Sequence, residues 1–207
     1  MIYELSNPVA KTLLNHLREK QTDALRFRHI VQELSRLLVY EALRTETMEE
    51  RTITTWQGEK TFNFIKEKEI IFVTILRAGL PMIEAVIALF PNASSGFLAM
   101  KRDENTHQSV LYYDRIPDCN DKTVIVVDPM VATAGSLCDA ISVIKSKSPK
   151  KIITLNLIGS PEGMDILEQK HPDIYTYIAH IDEKLNENMF IVPGLGDAGD
   201  RAYNTIE

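Results

Sequence analysis

The chain has 207 residues, 44% hydrophobic and 25% charged, which suits one medium domain able to bury a full core. Its net charge of −6 gives the surface no overall attraction for nucleic acid, so a polyanion site has to be a local basic cluster. Met1–Ser6 lacks the basic and apolar regions of a signal peptide, and apolar stretches such as Ile83–Phe90 are too short to span a membrane, so a cytoplasmic enzyme is expected.

In chain order, Asn7-Pro8 reads as an N-cap with proline at the first helical position, opening a helix to about Lys20. Thr22 is the expected cap of a second helix, in which Ile30, Val31, Leu34, Leu37 and Leu38 form a buried stripe. Thr52–Trp56, the turn Gln57-Gly58 and Thr61–Phe64 predict a β-hairpin with Trp56 near its tip, suited either to a subunit interface or to packing on the chain's own body. From Glu69 strands and helices alternate. Strands are predicted near Ile70–Ile75, Phe97–Met100, Val124–Val127, Ile152–Ile158 and Ile174–Ile178, and helices near Met82–Phe90, Leu137–Ser146 and Glu162–Lys170. That alternation predicts an α/β fold with a central parallel sheet flanked by helices. Arg102–Lys122 is polar and carries no convincing regular pattern, as in a functional loop. Cys119 and Cys138 form no CxxC pair, which fits idle thiols in a reducing compartment, and the five histidines lack zinc-ligand spacing.

The segment TVIVVDPMVATAGS, Thr123–Ser136, carries the most chemical information. An apolar strand stops at Asp128, and the small residues Ala132, Thr133, Ala134, Gly135 and Ser136 lead into a helix N-terminus, whose N–H groups and dipole suit a phosphate. Asp128, at the carboxyl end of a strand, could accept hydrogen bonds from ribose hydroxyls. The segment lacks both the lysine of a Walker A loop and the three glycines of the dinucleotide fingerprint. A second turn, Arg77-Ala78-Gly79, offers a guanidinium for a phosphate and a glycine that permits close backbone approach. A third segment, Pro193–Arg201, holds glycines at 194, 196 and 199, an entropic cost understandable where backbone must touch a flat ligand.

Together these segments closely resemble the type I phosphoribosyltransferases, and more narrowly the uracil phosphoribosyltransferase family. ILRAGLPM, Ile75–Met82, is similar to the family's pyrophosphate loop; the Asp128–Ser136 segment, with Pro129, Met130 and Val131, is similar to its phosphoribosyl-diphosphate signature; and FIVPGLGDAGDR, Phe190–Arg201, is similar to its uracil-binding hood. The resemblance implies one phosphoribosyltransferase domain over 1–207, with a core at about 69–180. The N-terminal helices and 181–207 would then form the hood region, and the hairpin an arm. It also implies a non-proline cis peptide near Arg77, Arg102 reaching the diphosphate, and a loop after Arg102 that folds over the site. Backbone groups of Ile191, Gly196 and Ala198 would read uracil, and Asp197 would lie by the phosphoribosyl substrate and its Mg²⁺, held mainly through the diphosphate. Ser109 and Leu111 stand where relatives often have prolines, Phe190 replaces a frequent tyrosine, and Ala134 replaces the usual glycine of the phosphate loop.

The reaction so implied is transfer of phosphoribosyl from its 1-diphosphate to uracil, giving UMP and diphosphate. Asp128 and Arg77 would be the catalytic side chains, in a homodimer or homotetramer with GTP as an effector. Two alternatives stay open at this point: a purine phosphoribosyltransferase with a different hood, and a phosphoribosyltransferase-like regulator of pyrimidine operons that binds RNA. The regulator reading wants a basic face with exposed aromatics, which an acidic chain does not suggest.

Overall fold

The computed structural model describes residues 1–102 and 109–205. A short strand, β1 (Ile2–Glu4), precedes helices α1 (Pro8–Arg18) and α2 (Ala24–Ala42) and the hairpin β2 (Met48–Thr55) and β3 (Gly58–Ile65). The alternating part runs β4 (Ile70–Leu76), α3 (Leu80–Leu89), β5 (Ser94–Arg102), β6 (Ser109–Arg115), β7 (Thr123–Val127), β8 (Met130–Val131), α4 (Gly135–Lys145), β9 (Lys151–Gly159), α5 (Pro161–Lys170) and β10 (Tyr175–Ile181). The chain closes with β11 (Lys184–Leu185), β12 (Ile191–Val192) and the short helix α6 (Ala198–Tyr203).

The main sheet has the order β1-β10-β9-β7-β4-β5-β6, with β8 added beside β9. All its neighbours are parallel except β5 and β6. Strands buried on both faces read as continuous apolar runs, and successive residues serve opposite layers. Phe72, Ile125, Val127, Ile153 and Leu155 pack with Leu34, Leu38, Met82 and Ile83 of α2 and α3. Ile71, Val73, Val124 and Val126 pack with Leu137, Ile141, Ile144 and Leu167 of α4 and α5. The chain leaves β4 for β5 on one side and returns to β7 on the other. The crevice beyond the carboxyl ends of β4 and β7 is therefore the switch point at which open α/β sheets bind ligands.

Several expectations need correction. Asp23, not Thr22, caps α2 by accepting the Arg26 N–H at 2.8 Å, while the Thr22 hydroxyl donates to His16 O at 2.6 Å. Asn7 caps α1 as expected, accepting from Val9 N, but the helix stops at Arg18. The hairpin is longer than its alternating core, because the charged stretch from Met48 to Arg51 also pairs, Met48 with Ile65 and Arg51 with Phe62. The 102–122 segment contains strand β6, whose Ser109 pairs with Arg102 and Arg115 with Phe97. Val110, Leu111, Tyr112 and Tyr113 are all exposed, so this edge strand shows no in–out alternation and its signal lies in β-favouring residue types alone. Within the 102–122 loop that the resemblance folds over the site, residues 103–108 lie outside the described residues.

Packing at the start of α5 positions the phosphate-binding candidate. Ser160 caps α5 by accepting from Gly163 N at 2.9 Å, and its hydroxyl donates to Ala132 O at 2.6 Å. A Cβ on Gly163 would lie 2.1 Å from that same carbonyl oxygen, so the helix can approach only through glycine. Gly163→Ala is expected to cost about 1–3 kcal/mol by overpacking. A urea unfolding midpoint equal to that of the unchanged protein would show that the loop yields freely.

Candidate active site

Asp128 follows directly on β7, and its main chain is fastened to β9 from both sides. Asp128 N donates to Leu155 O at 3.2 Å, and the buried Asn156 side chain donates to Asp128 O at 2.7 Å. Pro129 O accepts from Leu157 N and Ile158 N, both at 3.0 Å, and Val131 O accepts from Ser160 N at 3.0 Å. Burial pushes the Asp128 carboxyl up to about 7, with a hydrogen bond from the Met130 backbone N–H acting in the opposite direction. Its side chain is not sealed off, since the residue as a whole keeps intermediate exposure.

The turn from Ala132 to Ser136 runs into α4 without any side-chain cap. The N–H groups of the first helical turn are thus left for an external acceptor, which is what an anion site requires. Ala134 takes the left-handed conformation, φ 56°, that a glycine would adopt without penalty, at a cost of about 1–2 kcal/mol for an L-residue.

Arg77 and Ala78 form the turn after β4, with the Leu76–Arg77 peptide in the cis form. Gly79 serves a different purpose from the one its type suggests. A Cβ there would stand 2.0 Å from Thr74 Oγ1 and 2.8 Å from Val127 O, so the space is taken by the protein's own strands rather than by a ligand. The exposed Arg77 guanidinium donates through Nη2 to Asp200 Oδ1 at 3.1 Å and through Nη1 to Thr205 Oγ1 at 3.4 Å. That contact ties the β4 turn to the C-terminal segment. Gly199 adds to it, for a Cβ there would lie 3.8 Å from that of Ala78. Arg102 ends β5, and its side chain lies outside what the structure describes.

In the C-terminal segment Ile191 and Ala198 are buried, while Gly196 and Asp197 are exposed toward the opening. Gly196 has φ +81° and room beside it, the nearest atom to a Cβ being Arg201 Cδ at 3.4 Å, so its backbone conformation is what demands glycine. Asp197 caps α6, accepting from Asp200 N at 2.9 Å, a role its sequence position also allows. The pairing of β4 with β7 sets the Arg77–Gly79 turn beside Asp128, and contacts of Asp200, Thr205 and Gly199 with Arg77 and Ala78 bring the start of α6 against that turn. A separate groove of about 900 Å³ between Ile2–Pro8 and α2 contains none of these residues.

Three polar residues that fasten these segments were not anticipated: Asn156, which grips Asp128, and the pair Arg18 and Asp182, which holds Gly194. Asn156 alone left a trace in the sequence, as a polar residue inside an otherwise apolar strand run.

The uracil phosphoribosyltransferase family model matches residues 4–205. This chain belongs to that family. It is 44% identical over 203 residues to the uracil phosphoribosyltransferase of Aquifex aeolicus, with 98% of each chain covered. It is also 44% identical over 205 residues to the uracil phosphoribosyltransferase of Clostridium botulinum strain Eklund 17B, covering 99% of this chain and 98% of the relative. Among solved structures, the AQ2163 protein of Aquifex aeolicus superposes with a TM-score of 0.94 at 44% identity over 98% of both chains. The purine phosphoribosyltransferase of Pyrococcus horikoshii superposes over 75% of this chain and 84% of its own with a TM-score of 0.53 at 17% identity, a likeness of fold alone.

Ionisation of Asp128 generates a prediction. The folded carboxyl titrates near 7 against 3.8 for a free one, so the folded state holds the extra proton between those values. Stability contributed by this group is present at low pH and is lost as pH rises from 3.8 to about 7. Asp128→Asn should lack that component, so its melting temperature should gain on the parent across this interval. Parallel melting profiles for the two proteins would show that Asp128 ionises as an ordinary surface carboxyl.

Proposed function

We propose that the crevice beyond β4 and β7 holds the phosphoribosyl diphosphate and that the C-terminal segment lays uracil over the ribose. The reaction is that of the family: uracil and 5-phosphoribosyl 1-diphosphate give UMP and diphosphate. The observation that carries the site assignment is the convergence of three separate segments, tied by the Arg77–Asp200 bridge and the parallel pairing of β4 with β7.

The chemistry needs no nucleophile from the protein. As diphosphate leaves, positive charge grows on the ribose ring and negative charge on the departing oxygens. In our reading the N–H groups of Ala132–Ser136 hold the 5′-phosphate, supplying binding energy far from the reacting carbon that orients it. Asp128, once ionised, accepts from the ribose hydroxyls and favours the developing cation. Arg77, exposed and bonded to an exchangeable partner, is placed to turn from Asp200 to the diphosphate, and Arg102 at the end of β5 joins it. The backbone of Ile191, Gly196 and Ala198 reads the polar edge of the base.

The donor set suits Mg²⁺. Asp128 and Asp197 are hard oxygen donors at the opening, and Asp197 spends one oxygen on its helix cap. This cation characteristically takes one or two carboxylates and completes its shell with substrate phosphates. When bound it would neutralise charge on the leaving diphosphate. Among the described residues no cluster of three or more His, Cys, Asp or Glu is assembled.

We further propose a homodimer or homotetramer. The hairpin forms a separate two-stranded sheet, with Trp56 92% exposed and Met48, Ile53 and Phe62 also uncovered, the makings of an arm that packs on another subunit. GTP as an effector follows from the family resemblance. No described helix is long and apolar enough to cross a membrane. A cytoplasmic setting suits the two free cysteines, both buried.

Turnover of purified protein with Mg²⁺, phosphoribosyl diphosphate and a panel of free bases tests the assignment. Asp128→Asn should fold, by circular dichroism, and lose about 10²–10³-fold in kcat, as for other single electrostatic groups facing a transition state. Near-normal turnover would remove Asp128 from the chemistry. A second substitution addresses the base. Gly196→Val places a β-branched residue at φ +81° and should abolish uracil use while calorimetric binding of phosphoribosyl diphosphate with Mg²⁺ stays largely intact. Uracil conversion at the parent rate would show that this turn does not read the base.

A further inference from the structure

The segment proposed to read uracil is attached to the body of the protein by a buried ion pair that neither the reaction nor the family motifs involve. Asp182 stands one residue past β10, and its side chain is fully buried; Arg18 ends α1, and its side chain is only 18% exposed. Arg18 meets Asp182 through both guanidinium nitrogens, Nη1 reaching Oδ2 at 2.8 Å and Nη2 reaching Oδ1. The other side-chain hydrogen bonds of the pair converge on one residue, Gly194, and so on the two peptide planes that flank it. Gly194 N donates to Asp182 Oδ2 at 2.8 Å, and Arg18 Nη1 donates to Gly194 O at 2.7 Å. Gly194, with φ +62°, is therefore held at its N–H by the anion and at its carbonyl by the cation. The next carbonyl, Leu195 O, accepts from Arg201 Nη1 at 2.7 Å, and Arg201 is itself moored to the end of α1 through Leu17 O and Glu19 O. Gly196 follows immediately.

We infer that Arg18 and Asp182 are positioning residues for base recognition. A buried pair of this kind gives little net stability compared with apolar residues of the same size, since the cost of taking both charges out of water roughly offsets their attraction. What apolar residues could not supply is directional hold on Gly194. Holding Gly194 O orients the Leu195 N–H in the same planar peptide, Arg201 holds the Leu195 carbonyl that follows, and a polar-edge reader needs its donors and acceptors placed within a fraction of an ångström. The pair thereby makes the end of α1, some 175 residues upstream, part of the uracil site. The inference rests on the reading of the C-terminal segment as the base site.

The variant that tests this is the double substitution Arg18→Met with Asp182→Leu, which removes both charges together and so leaves no unpaired ion in the interior. Arg18→Lys supplies an independent arm, keeping the charge against Asp182 while losing the fork that also reaches Gly194. We expect both proteins to be folded, with the KM for uracil raised about 10–100-fold in the double variant and less in Arg18→Lys. The KM for phosphoribosyl diphosphate, and its calorimetric affinity with Mg²⁺, should stay within about twofold of the parent, because uniform loss is confined to one ligand. A folded double variant with the parent's uracil KM, or equal rises in KM for both substrates, would overturn the inference. So would parent-like uracil kinetics in Arg18→Lys should the double variant not fold. Gly196→Val separates the two levels of the argument. If it abolishes uracil use while the Arg18 variants behave normally, the pair is structural but the base site stands; if it too is without effect, the base site itself has been misplaced.

Discussion

Parallel pairing of β4 with β7 is the constraint on which the site depends. Thr74 is in register with Val127, and its hydroxyl donates to Val127 O at 3.1 Å, so the two strands end side by side. Their following turns, one bearing Arg77 and the other Asp128, therefore enter the same crevice from adjacent positions. Nothing local in either turn could arrange this. It follows from burying two apolar strands between helical layers, where every backbone group must be paired. The absence of a side chain at Gly79 belongs to the same constraint, since Thr74 and the β7 carbonyl already fill the space where its Cβ would go.

The C-terminal segment completes the site by other means. A six-residue helix and two-residue strands have little stability of their own. They are held instead by guanidinium groups aimed at carbonyl oxygens and carboxylates: Arg28 on Ala202 O at 2.6 Å, Arg201 on Leu195 O, and Arg77 on Asp200. Such charge-assisted bonds are short and directional, and they can fasten irregular backbone that no ladder would accept. Two modes of assembly meet at one opening. The proposed phosphate side is built from the ends of sheet strands, and the proposed base side from a loop strapped down by arginines.

How much of this was legible in the sequence depended on distance along the chain. The β–α alternation was readable because each buried strand declares itself within a few residues, as Val124–Val127 does. The three candidate segments stood out because small residues and glycines are conspicuous beside charged ones. Short-range competition defeated the reading at Thr22 and Asp23, adjacent residues that are both good caps, of which the helix uses the second. Strand β6 was missed because an edge strand with exposed aromatics on both faces has no period to detect. Arg18 and Asp182 could not have been paired from sequence at all. They are 164 positions apart, and each by itself resembles an ordinary surface charge.

Ala134 has a consequence for how the proposed phosphate site would be entered. A glycine would reach the same left-handed backbone without cost, but it would also leave the free turn many other conformations. Alanine takes the penalty in the folded protein and in exchange narrows the range of shapes the turn can visit. Its methyl group is buried against the α4 side of the core, which restricts the turn further. The turn is thus preorganised, and a phosphate bound there as proposed would have less loop entropy to quench. Compared with a glycine-bearing relative, tighter holding of the phosphoribosyl end should come from a stiffer empty site rather than from any added contact.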